Sequence, residues 1–443
     1  MFFLFSLDCF HARLYNQITM KTLFLALLAG YIVFRSIMIY LSYKGKKTAE
    51  KEALALKYFT PEEIRKGEEY ARESFGLSVL QRAVDFVFPF VFFFSAAKPL
   101  SLSIHEFLNG MGRPRETLHV MLFLAVYFIC SFLVSLPFRF QFEFIREHKF
   151  GFSNMTRKEW FLYTLKQFAV GTVITTIIIC AAYYIFRRPA QFLWLIPVVL
   201  LAFEFIITFF YPYLILPLFY KKSAFEDEKY AKVMREVAEK AGVKVSKIFQ
   251  INESKYSKHT NAFFTGFGPE KSIYIFDTLI KTNTPEQVAS VVAHEIGHWK
   301  NNHVLKNILL SFAGSVLMTW IVYFTYSACG YAPGYPHFSF FDGTALTISD
   351  IASLPLISAI LTVFSFWLSP IENFVSRKFE VTADTYEIGM GGHPEIYIQS
   401  MVQLAKDNRS FLFPHPLVTF WYASHPPILE RVKLGENFNK EKK

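Results

Sequence analysis

Seven apolar runs divide the chain, at residues 22–42, 77–97, 118–138, 168–186, 192–215, 306–328 and 351–371. A helix needs about 20 apolar residues to cross a hydrocarbon core, so the pattern predicts seven membrane spans. Arg82 and Asp85 stand three apart in the second run and share one helical face. Charges at that depth face a protein interior or a watery cavity. The fifth run ends in YPYLILPLFY, where Pro212 and Pro217 kink or stop a helix.

The segments between and after the runs read differently. HTNAFFTGFGPEKSIYIFD reads as two strands around a turn at Gly268-Pro269, with 273–276 the clearer strand. Its edge either accepts a substrate backbone by strand addition or is a plain structural hairpin. In NTPEQVASVVAHEIGHW, Thr284 suits an N-cap, Pro285 the first helical position, and Gln287 completes a capping box. Val288, Val291 and Val292 then recur at helical spacing, which puts His294, Glu295 and His298 on a helix.

Composition agrees with a membrane protein. The 443 residues are 53% hydrophobic and only 19% charged, with 52 Phe and 23 Tyr. The net charge of +10 reflects bases that hold topology; no basic run stands apart from the spans, so no nucleic-acid partner is expected. Lys and Arg number eight in 43–76 and six in 139–167. They number three after span two (Lys98, Arg113, Arg115), two after span four (Arg187, Arg188) and none in 329–350. The positive-inside rule places the odd-numbered loops in the cytosol, with 216–305 and 372–443 on the same side. Cys9, Cys130, Cys180 and Cys329 show no CxxC or other metal-type spacing and read as packing residues. Residues 1–19 lack the basic start and cleavage site of a signal peptide, and Met20-Lys21 reads as a start of its own. The chain therefore divides into an extension (1–19), spans one to five (20–220), a segment with the HEIGH helix (221–305), spans six and seven (306–371) and a C-terminal segment (372–443).

Two histidines four apart on a helix sit one turn apart on one face and can share a zinc ion. Glu295 beside them can take a proton from the attacking water. Gly297 lets a second segment approach closely. A third protein ligand is expected. A histidine ten residues after the first would serve, but that position is Val304; His303 is one short and reads as an exposed helix end. The other solution is a carboxylate from a second helix. In SRKFEVTADTYEIG, Glu380 and Asp384 are four apart. Glu380 would bind the metal, and Asp384 would accept a hydrogen bond from a ligating histidine. The plain alternative is a surface pair near Arg377 and Lys378. In YASHPPILERV, His425 is held extended before two prolines. A lone histidine is usually structural, but His425 or Arg431 can donate to an oxyanion.

HEIGHWKNNH, together with FEVTAD, NAFFTGFG, SHPPILER and SLPFRFQFEFIREHKFGFSNMT (135–156), resembles the type I CAAX prenyl proteases from about residue 20 onward. The resemblance implies a mostly α fold: a seven-span α-barrel around a large water-filled chamber, with a cytosol-facing zinc metalloprotease domain containing a small β-hairpin or sheet. It implies one zinc per chain on His294, His298 and Glu380, with Glu295 as general base and Asp384 in support. Asn261, His425 and Arg431 would line the site. The implied reaction removes the last three residues of a prenylated protein whose lipid sits in the bilayer. No oligomer is required. The membrane would be the endoplasmic reticulum in a eukaryote and the inner membrane in a bacterium. Two other readings compete: a membrane quality-control zinc protease acting on unprenylated substrates, and a transporter with an accidental motif.

Overall fold

The computed structural model describes residues 2–112, 116–188, 190–265, 270–329, 348–391 and 393–441. Arg113, Arg115 and the Gly268-Pro269 turn lie outside them. The chain opens with α1 (Phe2–Lys44), α2 (Ala49–Tyr58) and α3 (Pro61–Arg72). Next comes α4 (Phe75–Phe92), which continues through one π-helical turn (Phe93–Ala97) into α5 (Lys98–Gly110). Then α6 (Glu116–Arg139) passes through a second π-helical stretch (Phe140–Arg146) into α7 (Glu147–Lys149). After α8 (Arg157–Phe186) and α9 (Leu195–Leu214), the short α10 (Leu216–Phe219) leads into the polar segment. That segment holds β1 (Lys222–Ala224), α11 (Glu228–Lys240), β2 (Lys244–Ile251), β3 (Ala262–Thr265), β4 (Glu270–Phe276), α12 (Asp277–Thr282) and α13 (Pro285–Lys300). The last elements are α14 (His303–Cys329), α15 (Leu354–Gly391), α16 (Pro394–Asp407), α17 (Pro416–Tyr422) and α18 (Ile428–Glu441).

Seven helices among the described residues are long and apolar enough to cross a membrane, and they fall on the seven apolar runs. They are neighbours in the order α1, α14, α9, α8, α6, α4, α15 and back to α1, so they close into a ring. Across it, α8 and α15 make no comparable contact, as expected of helices arranged around an interior. In the most apolar window of α15, 61% of residues are buried, against 11–22% for the other spans. That helix is therefore the packed spine of the barrel. Pro212 lies inside α9 near its end, and Pro217 is the second residue of α10, which follows the break at Ile215.

The loops sort by end. After spans one and three, Tyr70 donates to Glu147 (2.7 Å), and Glu147 meets His259 of the polar segment (3.0 Å). Lys406 before α17 pairs with Glu63 (3.1 Å). At the other end, Arg187 pairs with Glu116, and Ser101 bonds both His119 (3.1 Å) and Asp350 (3.3 Å). The odd-numbered loops thus share one end with the HEIGH helix and the C-terminal segment.

The sheet has the order β1-β2-β4-β3. β2 and β4 run parallel, while β1 and β3 are antiparallel additions at its two edges. The register Ala262↔Ile275 and Phe264↔Ile273 makes β3 and β4 the expected hairpin strands. Alternation along β4 sends Ile273 and Ile275 toward a core with Val288, Val292 and Ile296 of α13. Tyr274 points the other way and stacks on Phe263 at 4.9 Å. Each fully buried aliphatic side chain contributes about 1.5–3 kcal/mol, so this interface firmly seats α13 on the sheet.

A candidate metal centre between two helices

The start of α13 is set by its capping box. Gln287 N–H donates to Thr284 Oγ1, and Thr284 N–H donates to Gln287 Oε1 (2.8 Å). Its polar face then meets α15. Between them Gly297 acts as a spacer: a Cβ there would stand 3.1 Å from both Cα and O of Ala383. No larger residue permits this approach without displacement. Three residues before Ala383 on α15 is Glu380.

Across that contact, three donor atoms converge. His294 Nε2 and His298 Nε2 are 3.1 Å apart, and Glu380 oxygens lie 3.4 Å from the first and 3.3 Å from the second. Ligands at zinc distances of 2.0–2.1 Å form a tetrahedron with edges of about 3.3 Å. The three measured edges fit that figure. Glu380 is 7% exposed, and its Oε2 has no hydrogen-bond partner. Such a buried oxygen calls for a cation. The residues present therefore fit a bound metal.

Further partners hold the ligands. Asp384 is fully buried, with Oδ1 3.0 Å from His294 Nδ1. Glu380 and Asp384 are thus interior residues, not a surface pair. Burial alone would lower the Arg431 guanidinium, but Asp384 outweighs it and holds Arg431 above its ordinary value. Arg431 Nε donates to Asp384 Oδ2 at 2.9 Å, with Nη2 on Oδ1. Arg431 is thus engaged with Asp384, while its Nη2 stands 3.9 Å from Glu380. His425 is close by: its Nε2 lies 3.3 Å from Glu380 Oε1, and 59% of its side chain is exposed. Asn261 is exposed at the head of β3, where its Oδ1 accepts from Ala262 N–H (2.8 Å).

Burial penalises a charge on His294, yet Asp384, Glu380 and Glu387 around it prevail and raise its pKa well above the usual value. Burial pushes the Glu295 carboxyl up, opposed by the neighbouring histidines. Glu295 and His298 open onto a cavity of about 560 Å³ lined mainly by apolar side chains of α9, β3 and α14, among them Phe205, Phe209, Phe263, Phe264 and Ile308.

His303 corrects an expectation. It is 2% exposed, its Nδ1 lies 3.0 Å from His298 Nδ1, and its ring stacks on Phe379 at 4.2 Å. The reason is the two-residue link between α13 and α14, with Asn302 at φ 54°, which folds His303 back onto the ligand. Glu387 and Ser290 were also missed. Glu387 is buried, 3.5 Å from His294 Nδ1, and accepts a hydrogen bond from Ser290 Oγ. The signal was present: 380, 384 and 387 follow one helical face, and Ser290 is one turn before His294.

Comparison with known proteins agrees with this geometry. Residues 39–221 match the family described as "CAAX prenyl protease N-terminal, five membrane helices", and residues 224–436 match "Peptidase family M48". The chain is 30% identical to CAAX prenyl protease 1 of Saccharomyces cerevisiae, over 72% of this chain and 73% of that one. It is 26% identical to a CAAX prenyl protease 1 homolog of Dictyostelium discoideum, over 93% of this chain and 96% of that one. The crystal structure of S. mikatae Ste24p superposes with a TM-score of 0.76 at 27% identity, covering 93% of this chain and 98% of that one. With two helices that bring a His-His-Glu cluster together and a ring of seven membrane-length helices, the chain belongs to the CAAX prenyl protease 1 family of multi-pass M48 membrane metalloproteases.

Proposed function

We propose that the protein is a zinc endopeptidase that removes the last three residues of prenylated CAAX proteins, working from the cytosolic face of the endoplasmic reticulum membrane. The observation that carries this reading is one juxtaposition: of three residues at tetrahedral zinc spacing, His298 lines, together with Glu295, a mainly apolar cavity of about 560 Å³. A cavity of that size lies in the usual range of about 300–1,000 Å³ for ligand sites. An isoprenoid chain suits its lining, each buried CH₂ contributing about 0.8 kcal/mol. The cytosolic assignment rests on the basic odd-numbered loops, which share an end with the metal cluster.

A zinc ion on His294, His298 and Glu380 would polarise the scissile carbonyl and acidify water. Glu295 takes the proton of the attacking water and passes it to the leaving amine. His425, on the open side of Glu380, donates to the developing oxyanion. Asp384 fixes the orientation of His294, and Arg431 fixes Asp384. The substrate backbone adds to the free edge of β3, with Asn261 at its head.

The test uses purified wild type and Glu295→Gln in detergent, with a CAAX peptide farnesylated or not and products read by mass spectrometry. The expected result is release of the terminal tripeptide by wild type from the farnesylated peptide. Glu295→Gln should retain its zinc and be slower by roughly 10²–10⁴-fold. Equal cleavage of both peptides would move the reading to an unprenylated, quality-control type of substrate.

A further inference from the structure

Two carboxylates stand behind His294, not one. Glu387, one turn beyond Asp384 on α15, is 2% exposed. Its Oε2 lies 3.5 Å from His294 Nδ1, the atom that Asp384 Oδ1 approaches to 3.0 Å. Neither contact reaches full hydrogen-bond geometry at Nδ1, and Glu387 Oε2 has no hydrogen-bond partner. One ring nitrogen therefore faces two acceptors. The other oxygen of Glu387 is tied down: Ser290 Oγ, one turn before His294 on α13, donates to Oε1. That bond crosses the same α13–α15 contact that brings the three candidate ligands together.

The two carboxylates differ in what balances their charge. Arg431 engages both oxygens of Asp384 and neutralises it. No lysine or arginine pairs with Glu387 among the described residues; its contacts are Ser290 and His294. With a zinc ion on the cluster, Glu380 and Glu295 balance the two charges of the metal, and Glu387 is left as one uncompensated negative charge. Glu387 and Ser290 also line a cavity of about 200 Å³ among α11, α13, α15 and α16, whose exposed rim carries Lys240 with Glu236 and Glu286. That is room for water to reach the carboxylate, which lowers the cost of a buried charge. His294, Asp384 and Glu387 are close enough together to hold a cation themselves, but Arg431 already places a positive charge on Asp384.

We infer that Glu387, steered by Ser290, is a second positioning residue for His294, supplying the uncompensated negative charge that Asp384, neutralised by Arg431, does not. This rests on the reading of His294, His298 and Glu380 as a zinc site. A carboxylate behind a ligating imidazole fixes the ring and raises its basicity as a ligand. Asp384 mainly orients the ring and anchors α18 through Arg431, while Glu387 mainly strengthens the hold on the metal. The division explains why a carboxylate without a cationic partner is kept inside the α13–α15 contact.

The test measures metal binding, so that it does not depend on turnover. Purified full-length wild type, Glu387→Gln and Ser290→Ala are compared in detergent. Zinc affinity is read by chelator competition, the visible d–d spectrum is read after cobalt(II) substitution, and the Tm is read on the zinc-free proteins. Gln keeps the size of the side chain and the bond from Ser290, and removes only the charge. Glu387→Gln should bind zinc about tenfold more weakly and shift the cobalt bands, with a zinc-free Tm equal to wild type. Ser290→Ala should change both metal readouts in the same direction and by less. Wild-type zinc affinity and an unchanged cobalt spectrum in Glu387→Gln overturn the positioning role alone. So does a loss of affinity that comes with an equal loss of zinc-free stability in both variants, because that is the mark of a packing residue. Two zinc ions per wild-type chain would assign Glu387 to a second metal and overturn it as well. A wild-type protein that binds no zinc overturns the inference together with the zinc reading.

Discussion

Gly297→Ala is a small change at the point where the two helices that carry the candidate metal ligands touch. The added Cβ would meet Ala383 Cα and O at 3.1 Å and Tyr386 Cβ at 3.3 Å. Relaxed carbon contacts lie at about 3.5–4.0 Å, so the shortfall is about 0.4 Å or more. Two of the three neighbours are backbone atoms and all three belong to the α15 spine, so α13 has to move off. His294 and His298 move with α13, while Glu380 stays on α15. Metal–ligand distances tolerate about 0.2 Å, half of that displacement. The expected result is a fall in zinc affinity of roughly 10–100-fold. Global stability should change far less, because better helix propensity (about 1 kcal/mol) offsets part of an overpacking cost of about 1–3 kcal/mol. The assay is zinc retained after dialysis against graded chelator, with the Tm of the zinc-free protein measured alongside. Zinc affinity within twofold of wild type would refute the claim that this contact sets the ligand geometry.

Asp384→Asn should lower zinc affinity and the Tm together, because it weakens the grip on His294 and leaves Arg431 buried without its counter-charge; breaking a buried pair costs about 3–5 kcal/mol. A Tm equal to wild type would contradict this. His303→Ala should weaken zinc binding by roughly 10-fold or more, since the ring braces His298, whereas an exposed helix-end residue would give no change. His259 predicts a pH dependence. The hydrogen bond that its Nε2–H donates to the Glu147 carboxylate raises its pKa above the ordinary value, against burial. A raised histidine contributes stability that is fully present below its unfolded value and lost as pH rises through its folded value. The Tm gap between wild type and His259→Gln should therefore be larger at pH 6 than at pH 9, and a gap that grows with pH would sink the argument.

The spans and the chemistry were legible for different reasons. A run of 20 apolar residues is a local signal, and so is a capped helix with two histidines one turn apart. The place of Glu380 beside His294 and His298 could be anticipated because two histidines one turn apart call for a third ligand and one further helix offered a carboxylate. What required the fold was everything decided across space. The domain boundary drawn at 371/372 falls inside α15, which runs unbroken from Leu354 to Gly391 and so couples span seven rigidly to Glu380. His303 looked exposed because its burial depends on a two-residue reversal, which periodicity does not report. Arg431 carries the same charge whether it meets substrate or Asp384, and only the approach of α18 to α15 distinguishes them. The order of helices around the ring, with α14 beside both α1 and α9, has no local signature at all.

The most direct test of the central claim is zinc K-edge X-ray absorption on purified wild type and Glu380→Gln, with metal content measured on the same samples. The account predicts one zinc per wild-type chain, with two imidazole nitrogens and a carboxylate oxygen in its shell, and a variant that loses most of its zinc. Full occupancy in Glu380→Gln with an unchanged shell, or a wild-type protein without zinc, would contradict it.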